Sequence, residues 1–212
     1  MMLSEDESII RTWDESIPDD MCINWLAQCK RRLYYPLDSS ERAGLSAFEY
    51  AWKAFNNLYA PFPGKPDKKK MYACLDVYLN KRDFIETNRS RIVALCDDIS
   101  SGKFAIHGLA NHDLFPKAHE YSKELEKALK SDDEDWGTKA LVDLLYIFRN
   151  ARIHGQWGTG RTYFARLPRS MYELCIHLLS GKTQHGIEAI VALVEFRHKQ
   201  LVDEIKSNIS SF

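Results

Sequence analysis

A chain of 212 residues, 45% hydrophobic and 28% charged, is long enough to bury one substantial core and has the composition of an ordinary globular protein. Its formal charge of -1 excludes the simple picture of a whole molecule built to neutralise a polyanion. No apolar run approaches the ~20 residues that a membrane-crossing helix needs. Cys22, Cys29, Cys74, Cys96 and Cys175 form no C-x-x-C pair, and no secretory leader pattern is visible, so a cytoplasmic protein away from membranes is expected.

In chain order, Glu5, Asp6, Glu7, Asp14, Glu15, Asp19 and Asp20 stand against Arg11 alone. Residues 1–39 therefore read as an acidic segment, either a solvated arm or an electrostatic mimic that competes for a basic surface. Ile23, Trp25, Leu26 and Cys29 suit a short helix before Pro36, and Asp38-Ser-Ser-Glu41 opens the next one. Leu45, Phe48, Trp52, Phe55 and Tyr59 recur at steps of three and four, which predicts an amphipathic helix from Arg42 to Ala60, ended by Pro61, Pro63 and Gly64. The run from Lys65 to Lys70 reads as a connection with solvated lysines.

Helices are expected over Lys70 to Asn80, Asp83 to Ile99, Lys117 to Lys130, Asp133 to His154, Arg169 to Leu179 and His185 to Lys206. Gly181-Lys-Thr183 reads as a connection, and His198 as a satisfied core histidine beside Val194 and Leu201. Strand signals are weak throughout, so the expected fold is all-α, an antiparallel helical bundle over residues 40–207 with a tail at 208–212.

Chemistry concentrates at Arg149-Asn-Ala-Arg152-Ile-His154-Gly155, which closes the apolar run from Ala140 to Phe148. Asn150 and His154 share a helix face, whereas Arg149 lies about 140° from His154 unless the helix ends, an end that Gly155 suits. These cations also complement the negative end of a helix dipole, so a purely structural role accounts for the same spacing. From Leu144 to Tyr172 there is no Asp or Glu, while Arg149, Arg152, Arg161, Arg166 and Arg169 alternate with Tyr146, Trp157, Tyr163, Phe164 and Tyr172. Arginines among aromatics suit a single-stranded nucleic acid, with Arg152, Arg161, Arg166 and Tyr163 as candidate RNA contacts.

Glu49 and Asn56 are nearly aligned on the aromatic helix and are candidate supporting polar groups, against the plainer reading of a helix-surface hydrogen bond. His107, His112 and His119 match no zinc spacing, and no metal or cofactor is expected. The stretch from Gly155 to Thr162 resembles a phosphate loop but carries Arg161 where the lysine belongs, and follows a helix instead of a strand.

The form Arg149-Asn150-x-x-x-His154, with the upstream Phe48-Glu-Tyr-Ala-Trp52-Lys-Ala-Phe55-Asn56-Asn-Leu-Tyr59, resembles the HEPN domains, helical modules of prokaryotic defence and toxin systems. The two segments anchor a resemblance that spans residues 40 to 207. It implies a homodimer with facing motifs and metal-independent RNA cleavage by the ribose 2′-hydroxyl, with Arg149, Asn150 and His154 as catalytic residues. A toxin or defence effector, with an antitoxin or regulatory protein as partner, is the corresponding expectation. The alternatives are a noncatalytic HEPN module that binds RNA, nucleotide or a partner protein, and a purely structural helical dimer.

Overall fold

The computed structural model describes residues 20–34, 40–63, 65–101, 114–153 and 166–209. Within them the chain forms eight α-helices: α1 (Asp20–Tyr34), α2 (Ser40–Tyr59), α3 (Asp67–Tyr78), α4 (Lys81–Ser100), α5 (Leu114–Ser131), α6 (Glu134–Ile153), α7 (Arg166–Thr183) and α8 (Ile187–Ile209). The described residues contain no strand, so the fold is all-α.

Local signals explain several of the boundaries. Asp133 accepts a hydrogen bond from the Trp136 amide at 2.8 Å and Asn80 accepts one from Asp83 at 3.3 Å, so each satisfies an amide that the first turn would leave unpaired. The lysine run, expected as a connection, instead occupies the start of α3, because Asp67 already opens the helix. Gly181 to Thr183, also expected as a connection, forms the last residues of α7.

The predicted aromatic stripe is real: Phe48, Trp52, Phe55 and Tyr59 are all buried along α2. Their rings form a ladder, Trp52 meeting Phe55 edge-on at 5.6 Å and Phe55 meeting Tyr59 at 5.0 Å. α1 lies along α2 and buries Cys22, Ile23, Leu26, Ala27 and Cys29 in the same core, with Trp25 stacked on Tyr50 at 5.7 Å. α7 is the central helix, packed against α1, α2, α3, α4 and α8. α3 runs antiparallel to α6, since Lys68 and Tyr72 meet Asp143 while Lys139 reaches Asp76 farther along.

α7 approaches α3 closely at one point. A Cβ on Gly181 would overlap the Tyr78 carbonyl, so glycine is required there by space and not by backbone conformation. Gly181→Ala should cost about 1–3 kcal/mol, the usual range for overpacking, and lower the thermal midpoint. A melting curve identical to the parent's would show that the two helices can separate freely.

All five cysteines are buried and none forms a disulfide. Burial pushes the Cys74 and Cys96 thiols up to about 12, which suits packing and not nucleophilic work. His198 is buried at 7% exposure on the inner face of α8, as its spacing predicts, and its pKa is lowered by burial and then by the nearby Lys30 and Arg31. No described helix is long and apolar enough to cross a membrane.

Candidate functional site

Spacing along α6 sets the site: Tyr146 precedes Arg149 by three residues and therefore shares its side of the helix. The Arg149 guanidinium carbon lies 5.8 Å from the Tyr146 ring centre and 6.0 Å from that of Trp52 on α2. The two rings are themselves 6.0 Å apart. The cation is thus flanked by aromatic faces from two helices, an arrangement worth about 0.5–2 kcal/mol depending on desolvation.

Arg149 spends little of its donor capacity on the protein. Nη1 donates to the Asn150 side-chain oxygen at 3.0 Å, whereas Nε is buried without a hydrogen-bond partner. No described carboxylate pairs with it. A guanidinium has five N–H donors in a planar fork, so with Nη1 donating once and Nε buried, the remaining Nη donors are the ones left to hold an oxyanion. The electrostatics of the surroundings agree: burial pushes the Tyr59 phenol up to about 12, Asp67 adds to that shift, and Arg149 acts against it. Tyr59 is therefore a neutral hydroxyl near a permanent cation at neutral pH.

A second polar group lies farther back on the same helix. Asp143, 9% exposed, accepts a hydrogen bond from the Tyr72 hydroxyl at 2.7 Å and pairs with the Lys68 ammonium at 2.8 Å. Lys68 also reaches the Tyr121 hydroxyl at 3.4 Å. Burial and the Asp143 carboxylate together raise the Tyr72 phenol far above its ordinary range. This network ties α3, α5 and α6 together beneath the Arg149 end.

The remaining expected site residues divide by position. His154, Arg161 and Tyr163 lie outside the described residues, as do His107 and His112. Arg152 belongs to the last turn of α6. Arg166 is held at the start of α7, where Nη1 donates to the Ala94 carbonyl at 2.6 Å and pairs with Asp98 at 2.8 Å. Asn56 is exposed and Glu49 half-buried on α2. Among the described residues no group of His, Cys, Asp or Glu is arranged to hold a metal ion.

Sequence spacing alone did not single out Trp52, Tyr59 and Tyr146 as the surroundings of Arg149, nor Asp143 as the partner of Lys68. The available signals were the three-residue step from Tyr146 to Arg149 and one acid, Asp143, inside an otherwise apolar run. Compared with protein-family models, curated proteins and solved structures, the chain gives no match.

Proposed function

We propose that this chain is a metal-independent endoribonuclease with a HEPN-like helical bundle, acting as a homodimer in toxin or defence biology. The observation that carries the reading is the Arg149 guanidinium near the end of α6, flanked by Trp52 and Tyr146, hydrogen-bonded to Asn150 and paired with no described carboxylate. Sequence adds His154 five residues on, within an acid-free stretch of arginines and aromatics.

In this reading His154 takes the proton of the ribose 2′-hydroxyl, the 2′-oxygen attacks the adjacent phosphorus, and the bond to the 5′-oxygen breaks. The leaving oxygen receives a proton, and the products carry a 2′,3′-cyclic phosphate and a 5′-hydroxyl. Arg149 stabilises the charge that grows on the phosphoryl oxygens, and Asn150 orients the guanidinium. One imidazole does not readily serve as base and acid in one step, so a twofold dimer that brings in a second His154 gives the assembly a chemical purpose. Arg152, Arg161 and Tyr163 remain the proposed RNA contacts around this centre, whereas Arg166 is committed to Asp98 and the Ala94 carbonyl.

The test is incubation of pure protein with single-stranded RNA in excess chelator, with product ends determined. Cleavage giving 2′,3′-cyclic phosphate ends is the expected result. Intact RNA from a folded protein that still binds it would favour the noncatalytic module, and activity restored by divalent ions would overturn the metal-free mechanism.

A further inference from the structure

A second basic surface lies apart from the Arg149 end. The C-terminal part of α1 carries Lys30, Arg31 and Arg32 in succession, the last two in its final turn, and the first turn of α7 carries Arg169. Tyr34, 51% exposed, joins the two helices: the Lys30 ammonium is 5.7 Å and the Arg169 guanidinium 5.3 Å from its ring centre. Arg91 reaches the same place from α4 through an ion pair with Glu173 at 3.2 Å.

Among the described residues, the acids that face this cluster are few and already engaged. Glu173 lies among Arg91, Arg169 and Lys30, and Glu195 of α8 pairs with Lys30. No hydrogen bond or ion pair to a described residue occupies Arg31 or Arg169, and the Nε of each is buried without a partner. His198 provides no counter-charge, since an imidazole is neutral or cationic, and burial together with Lys30 and Arg31 lowers its pKa. Like charges gathered this closely repel, so the cluster raises the energy of the isolated protein and favours a bound anion.

We propose that the end of α1 and the start of α7 form a phosphate-contact surface for single-stranded RNA, with Arg31 and Arg169 binding backbone phosphates and the exposed part of Tyr34 packing on a base. Planar guanidinium forks beside an exposed aromatic ring suit a strand that offers phosphate and base alternately, more than a carboxylate-rich polypeptide, which offers only charge. The surface is also continuous in sequence with the acid-free arginine stretch, since Arg169 is its last arginine. This inference rests on the RNA reading above and extends it to a strand path that begins away from the reacting phosphate.

The experiment measures equilibrium binding of a labelled 20-nucleotide single-stranded RNA across a salt series, in a His154→Ala background so that no turnover intervenes. Arg31→Gln with Arg169→Gln should weaken binding about tenfold and reduce the slope of log affinity against log salt by roughly 1.4, the value for two lost phosphate contacts on a single strand. Arg31→Lys with Arg169→Lys should restore most of the slope, and Lys127→Gln on α5 should leave it unchanged. Circular dichroism melting confirms that the variants are folded, and the lysine pair provides the comparison if the glutamine pair melts early. Unchanged affinity and slope in a glutamine pair that folds, with the parent binding RNA, would overturn this surface while leaving the RNA reading standing. A parent that binds no RNA but captures poly-glutamate through Arg31 and Arg169 would overturn both and assign the surface to an acidic polypeptide.

Discussion

Arg149→Ala should lower RNA cleavage by about 10²–10³-fold, the loss typical when one group that stabilises transition-state charge is removed. The same substitution should change stability little. It removes two ring contacts at 5.8 and 6.0 Å and one side-chain hydrogen bond, together worth about 1–2 kcal/mol. It leaves no described carboxylate without its cation, because none of them pairs with Arg149. Arg149→Lys keeps the charge but loses the planar fork, so it should recover only part of the rate. His154→Ala should match the alanine variant in rate. A variant that loses cleavage and helical content in parallel would support the alternative in which these residues merely complement the helix end.

Asp143→Ala should produce the largest loss of stability among the polar substitutions, about 3 kcal/mol. It strands the Lys68 ammonium, which now pairs with Asp143 at 2.8 Å, and removes the acceptor of the Tyr72 hydroxyl. The value sits at the lower end for broken buried pairs because the Lys68 side chain is 33% exposed and water can reach it. Asp143→Leu combined with Lys68→Met should recover most of that loss, since apolar groups of similar volume often replace a buried pair without penalty.

The pH dependence of this pair has a definite sign. Burial lowers the Lys68 pKa but is outweighed by the hydrogen bond and charge of Asp143, so the folded value is raised. The pair's contribution is therefore complete below the unfolded lysine value of about 10.4 and fades as pH rises through the higher folded value. Denaturant melts between neutral and strongly alkaline pH should show this loss in the parent and not in Asp143→Ala. Equal alkaline losses in both would remove Lys68 as the cause.

Helix positions were legible because burial in a bundle leaves a period that side chains cannot hide. The stripe from Phe48 to Tyr59 faces the core as its spacing requires, and α6 is described to Ile153, the last described residue before the expected end at His154. The two misread connections have a common cause. Lys68 to Lys70 and Gly181 to Thr183 are polar or turn-forming in composition, yet each is a helix end, where tertiary contact overrides propensity. For Lys68 the contact is Asp143, and for Gly181 it is the close approach of α3.

The site was legible only in part. Arg149 and Asn150 are adjacent in sequence and so their hydrogen bond is local, but the pairing of Arg149 with Trp52 spans α6 and α2 and depends on how the helices cross. Arg166 shows the converse: composition groups it with the RNA-contact arginines, while folding brings it against Asp98 and the Ala94 carbonyl of α4. Charge pattern counts arginines without telling which are occupied, and that distinction separates Arg166 from Arg31 and Arg169.

The central claim is that the nucleophile belongs to RNA and that Arg149 and His154 serve its attack. The most direct measurement uses an RNA strand with one mapped cleavage position and the same strand carrying a single 2′-deoxy substitution there, both incubated with the protein in chelator. The account predicts cleavage of the first strand, none at the substituted position of the second, and equal binding of both. Cleavage of the deoxy-substituted bond at a comparable rate would contradict it.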